Sequence, residues 1–173
     1  IEKQAELALA AKDAWVGIKV NSIVDERVID ALYRASQAGV SVDLVVRGIC
    51  GLKAGIKGLS ENIRVRSILG RFLEHSRIFA FGPSGEEEVW IGSSSLMHRN
   101  LDRRVETLVK IENRNHVDYL AGLVRTEVSS GTSSWQLRKN GRWRRNTEDK
   151  YGAPLRDIQV ELMQEASSRV VGR

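Results

Sequence analysis

An α/β fold, a mixed sheet flanked by helices and followed by a C-terminal hairpin and helix, is what this sequence predicts. Three observations carry that reading. Trp15–Val20, a helical stretch through Gln37 and Val40–Val46 follow one another as strand, helix and strand, the pattern of a βαβ crossover, which is almost always right-handed. Gly82-Pro83-Ser84-Gly85 separates two short apolar runs that can pair as an antiparallel hairpin. The 173 residues suffice for one principal domain with a real core, and no run approaches the ~20 apolar residues of a membrane span.

Residues 2–13, rich in Ala, Glu and Lys, read as a first helix. Trp15-Val16-Gly17-Ile18-Lys19-Val20 is a buried strand, ended by the turn chemistry of Asn21-Ser22. Asp25 is the N-cap of a helix through Gln37 that carries Val28, Ile29, Leu32 and Ala35 on one face, and Gly39 ends it. Arg47 stands where the second strand stops. It opens a loop to Gly58 with four glycines and three basic residues, which reads either as a phosphate-binding loop or as a plain flexible connection.

A short strand follows at Arg64–Leu69, then a strand through His75 whose alternation places His75 and Arg77 on one face, continued by Phe79 and Phe81. Val89-Trp90-Ile91 pairs back across the Gly-Pro turn, and Glu86-Glu87-Glu88 reads as its solvated rim. His98 falls in a loop and His116 at a helix start. Thr107–Ile111 is a strand; Val117, Leu120, Val124 and Val128 mark one face of a helix. Residues 129–134 form a Gly/Ser/Thr linker. Asn140-Gly141, between Trp135 and Trp143, predicts a type I′ hairpin among basic residues, and a last amphipathic helix carries Leu155, Ile158, Leu162, Met163 and Ala166. The expected division is 1–128 as the main domain, with 129–173 packing on it.

The single cysteine, Cys50, excludes an internal disulfide and fits a reducing cytosol; with three scattered histidines it makes no zinc-ligand spacing, so no metal ligand is assigned. The net charge of +5 favours a polyanionic partner: nucleic acid, nucleotide, polyphosphate or acidic lipid. Arginines cluster at 64, 66 and 71, at 99, 103 and 104, and between 138 and 145, as suits phosphate oxygens held in fixed geometry. His75, Arg77 and the Gly92-Ser93-Ser94 corner supply parts that phosphoryl chemistry uses: an imidazole, a guanidinium and room for backbone donors.

Five segments in order, Asn21-Ser22-Ile23-Val24-Asp25, Val46-Arg47-Gly48-Ile49-Cys50, Leu59–Ile68, Arg71-Phe72-Leu73-Glu74-His75-Ser76-Arg77 and Arg99–Glu106, closely resemble the C-terminal domain of bacterial polyphosphate kinase. The match runs the length of the chain and is weakest beyond about residue 112. The resemblance implies a phospholipase D-like sheet, the second of two such domains facing each other across a tunnel. It implies reversible transfer of the terminal phosphate of ATP to inorganic polyphosphate, with Mg2+ held by ligands outside this fragment. The phosphorylated histidine belongs to the preceding domain, so the fragment alone is expected to be inactive. His75 matches the second-domain histidine and Arg47 the Arg-Gly-x-Cys arginine, both contacting nucleotide phosphate.

Asn21, Arg77, Arg99, Asn100, Arg103 and Arg104 are secondary candidates, with ion pairs to Asp102 or Glu106 an equal alternative for Arg103 and Arg104. The implied partners are ATP or ADP, polyphosphate and the preceding catalytic domain, in a homo-oligomeric full-length enzyme without specific nucleic acid. The implied placement is cytoplasmic, with membrane association open for the full-length enzyme. Two positions depart from the family pattern: Ser95 replaces an aspartate and His98 a proline. Two alternatives stand beside this reading. One is a phospholipase D-type phosphodiesterase or nuclease, which wants Lys where Arg77 stands; the other is a nonenzymatic polyanion-binding module.

Overall fold

The computed structural model describes residues 1–171; the last two residues of the 129–173 segment lie outside the described residues. Its elements are α1 (Glu2–Leu9), β1 (Trp15–Val20), α2 (Glu26–Gln37), β2 (Ser41–Val46), β3 (Ile63–Ser67), β4 (Ile78–Phe81), β5 (Glu88–Gly92), α3 (His98–Asp102), β6 (Leu108–Ile111), α4 (Arg114–Val128), β7 (Ser134–Leu137), β8 (Trp143–Asn146) and α5 (Ile158–Val171). Among the described residues the strands form one mixed sheet in the order β6-β5-β4-β1-β2-β3-β7-β8. β1, β2 and β3 run parallel, and the flanking strands pair antiparallel.

Strand alternation divides the core into two layers. Val16, Ile18, Val20, Val42, Leu44, Val46, Ile63, Val65 and Phe79 face one layer with Leu32 and Ala35 of α2. Trp15, Val45, Ile78 and Ala80 face the other, against Val117, Ala121, Val124 and Val128 of α4 and Ile158 of α5. Asp25 caps α2 as its sequence position predicts, its carboxylate accepting from the N–H groups of Arg27 and Val28 at 3.1 and 3.3 Å. No helix among the described residues is long and apolar enough to cross a membrane.

The structure corrects several expectations. The first helix stops at Leu9, short of residue 13. His75 and Arg77 lie not on a strand but in irregular chain before β4. Side chains replace the strand ladder there: the Gln159 amide takes the N–H and C=O of Phe72, both at 2.9 Å, and the Arg47 guanidinium donates to the Glu74 carbonyl at 2.9 Å. Glu87 is no solvated rim residue. It is 8% exposed, held by Arg114 at 2.6 Å and Arg125 at 3.1 Å, and the Arg125 guanidinium stacks over the Trp15 ring.

The loop joining β7 and β8 is not type I′, which would need a positive φ at Asn140 as well as at Gly141; Gly141 alone has one, +78°. Instead Arg138 N–H donates to the Arg142 carbonyl at 2.9 Å across a three-residue loop with glycine at its left-handed position. β7 extends the sheet beside β3, so the hairpin lies in the plane of the main sheet.

Candidate functional site

The carboxyl ends of β1, β2 and β3 share one edge of the sheet with the start of β4 and the end of β5, since Lys19 pairs with Ile78 and Ile78 with Ile91. Ligands of open α/β sheets bind beyond such an edge. Here the backbone joins the loops together. Ile23 N–H donates to the Ile49 carbonyl at 2.9 Å, Gly51 N–H to Ile23 at 2.8 Å, and Val24 N–H to Leu96 at 2.9 Å. Gly48 N–H donates to the Asn21 carbonyl at 2.7 Å, and a Cβ on Gly48 would come within 3.0 Å of that oxygen, so the close approach requires glycine. The N–H groups of Gly48, Gly51 and Gly55 are thus taken up by backbone carbonyls, so these three glycines serve the loop's own structure.

On this edge Arg47 Nη1 lies 3.3 Å from His75 Nδ1. His75 is exposed, Arg47 half-buried. Beside them a cleft of about 460 Å³ is lined by Asn21, His75, Arg77, Ser95, Arg99, Asn100, Arg104 and Glu106. Of the sequence-selected residues, Asn21, His75, Arg77, Arg99, Asn100 and Arg104 therefore converge. Arg47 adjoins them through His75 and lines a second hollow of about 260 Å³ with Gly48, Ser67, Leu69, Trp135 and Trp143. Arg103 is exposed and lines neither.

The expected ion pairs of Arg103 and Arg104 with Asp102 or Glu106 do not form among the described residues. Asp102 pairs with Arg27 at 2.8 Å. Glu106 accepts hydrogen bonds from Ser93 Oγ and from Asn100 Nδ2, and these bonds, followed by the charges of Arg104 and Arg77, hold its carboxyl below the usual range. The Arg104 guanidinium, which lines the cleft, has no ion-pair partner among the described residues. Three buried polar atoms bordering the cleft, Arg77 Nε, Ser95 Oγ and Asn100 Oδ1, have no hydrogen-bond partner among the described residues, an arrangement that favours polar ligand oxygens and donors over an apolar guest.

His98 is not a loop residue but opens α3, with Nδ1 3.1 Å from Asp25 and Nε2 2.8 Å from Glu26. With Asp102 it forms a grouping of metal-ligand type. The Arg27 guanidinium already joins Asp25 and Asp102, each at 2.8 Å, and magnesium favours an octahedral oxygen shell. This grouping does not fit that ion.

Four residues that sequence reasoning passed over support the segment carrying His75. Lys19, 3% exposed on β1, donates to Glu74 at 2.7 Å and to the fully buried Glu127 of α4. Gln159 Nε2 donates to the other Glu74 oxygen at 2.6 Å. A lysine inside an otherwise apolar strand, and a glutamate one position from the apolar Val128 of α4, were the available signals.

The sheet topology is that of the phospholipase D-like fold. Nuc, a phospholipase D family member from Salmonella typhimurium, superimposes with a TM-score of 0.52 at 13% identity, over 84% of this chain and 90% of that one, a likeness of fold alone. The chain belongs to the family described as polyphosphate kinase C-terminal domain 2, which it matches over residues 1–156. Polyphosphate kinase of Streptomyces coelicolor is 58% identical over 163 residues, which is 94% of this chain and 22% of that protein. The crystal structure of polyphosphate kinase from Porphyromonas gingivalis superimposes with a TM-score of 0.88 at 30% identity, covering 99% of this chain and 26% of that one. The chain spans about a fifth of the length of the curated relatives it matches.

Proposed function

We propose that the chain is the nucleotide- and polyphosphate-binding part of a polyphosphate kinase, which transfers the terminal phosphate of ATP reversibly to inorganic polyphosphate. The observation that carries this reading is the Arg47–His75 pair, 3.3 Å apart at the strand edge and bordering a cleft with further arginines. Phosphoryl transfer depends chiefly on positioning and on neutralising charge at the phosphate oxygens. Arg47 supplies a planar pair of donors, and His75 a further donor and proton carrier. The phosphohistidine belongs to a preceding domain and the magnesium ligands lie outside this chain, so the chain by itself should not turn over. A phospholipase D-type phosphodiesterase shares the fold, and the test separates the two.

In the full-length enzyme, His75→Ala should reduce ATP-dependent polyphosphate synthesis strongly with little change in melting temperature, since His75 is exposed and in no core contact. The 173-residue chain incubated with labelled ATP and magnesium should acquire no acid-labile phosphate. Phosphohistidine on His75, wild-type synthesis by His75→Ala, or phosphodiester hydrolysis lost in that variant would each overturn this reading.

A further inference from the structure

Lys19 sits on the face of β1 that it shares with Trp15, paired with Val45 and Ile78 in the sheet and bonded to Glu127 of α4. Burying an ammonium costs several kcal/mol before pairing, and well-packed apolar residues often replace a buried ion triad without loss of stability. Stability alone therefore gives no reason for a lysine here. Its contacts do. It joins Glu127 of α4 to Glu74, and Glu74 is held at two further points: its second carboxylate oxygen accepts from Gln159 of α5 at 2.6 Å, and its carbonyl accepts from Arg47 at 2.9 Å. Arg47 in turn stands 3.3 Å from His75 Nδ1. The segment from Gly70 to Arg77 has no strand ladder, so these side-chain bonds take the ladder's place.

Resting on the function proposed above, we infer that Lys19 is a positioning residue for the phosphate-binding pair: through Glu74 it sets where His75 and Arg47 stand relative to each other. A tether of this kind acts on turnover, because a displacement of about 1 Å in a reacting geometry can cost on the order of a hundredfold in rate. It makes no contact with substrate itself.

The test uses the full-length enzyme and separates the tether from the stability of the core. Lys19→Met alone leaves Glu127 buried without its partner, so the informative variants are Glu74→Ala and the double variant Lys19→Met/Glu127→Met. Both remove the tether without stranding a charge in the core. Each should lower kcat for ATP-dependent synthesis by roughly tenfold to a hundredfold, with a smaller change in KM for ATP and a melting temperature close to wild type. Amide hydrogen exchange should rise in residues 70–77 while β1, β2 and β3 stay protected. Glu74→Gln keeps an oxygen for Lys19 but sets its own amide N–H against the Gln159 donor, so it should recover only part of the turnover lost in Glu74→Ala.

Wild-type kcat together with unchanged exchange at 70–77 in Glu74→Ala would show that Lys19 serves the fold only. Should the double variant fail to fold, Glu74→Ala decides by itself. His75→Ala runs alongside as the control. If it keeps full activity, the site assignment fails; if it is inactive while the tether variants are normal, only the role of Lys19 fails.

Discussion

Lys19 and Glu127, 108 positions apart in sequence, meet as a hydrogen-bonded ion pair in the interior, and Glu127 is completely buried. Burial pushes the Glu127 carboxyl up to about 7, with Lys19 drawing it back only in part and the negative charge of Glu74 adding to the rise. From about pH 4.5, the ordinary value of a glutamate, the unfolded chain loses this proton while the folded chain keeps it. The folded state then binds more protons, so stability is highest below that pH and falls as pH rises toward about 7. Urea unfolding of the chain at stepped pH should show this decline, and Glu127→Gln should flatten it. An unchanged slope in the variant would place the titration elsewhere.

Arg47→Ala in the full-length enzyme should remove a charge-assisted contact worth about 1.5–3 kcal/mol, roughly one to two decades in ATP affinity or rate. Arg47→Lys should restore only part, because a point charge cannot reach both the Glu74 carbonyl and a phosphate with the geometry of a planar guanidinium. Steady-state kinetics beside thermal unfolding on the same preparations checks both.

Asp25→Ala should destabilise the chain by at least the ~1 kcal/mol of a lost N-cap. Asp25 is fully buried and also holds Arg27 at 2.8 Å and His98 at 3.1 Å, so the loss should exceed that of an ordinary exposed cap. Denaturant titration measures it; a change below half a kcal/mol would show that Arg27 and Asp102 compensate.

Arg142, Arg144 and Arg145 are exposed around the β7–β8 hairpin, outside the cleft. Replacing all three with Gln should leave kcat near wild type at low salt and weaken the salt dependence of polyphosphate binding, as fewer counterions are exchanged. Turnover measured against ionic strength tests this, and near-complete loss of turnover in a folded variant would bring the hairpin into the active site.

Much of this arrangement could be read from local sequence. The βαβ unit showed itself in the apolar runs at 15–20 and 40–46 and in Asp25 as a cap, because strand alternation and capping act over a few residues. The position of His75 did not. Phe72–Phe79 has strand-like residues, yet its backbone is satisfied by Gln159 and Arg47, which lie 87 and 27 positions from their partners and leave no local trace. Glu87 misled for the same reason: three consecutive glutamates suggest solvent, and only the fold brings Arg114 and Arg125 to the middle one. Within the site, Arg77, Asn100 and Arg104 were found through their segments. Lys19 and Glu127 were visible as charges in apolar settings, but neither names its partner.

Gln159 stands three residues beyond the 1–156 span of the family match and is only 4% exposed. Its single amide holds both backbone groups of Phe72 and one oxygen of Glu74. A chain stopped at Arg156 would contain every strand of the sheet yet lose the Gln159 bonds to Phe72 and Glu74, leaving only Lys19 and Arg47 to hold the stretch that presents His75. Where the secondary structure of this domain closes and where its chemistry becomes rigid are therefore different places along the chain, and the second lies within the first turn of the terminal helix.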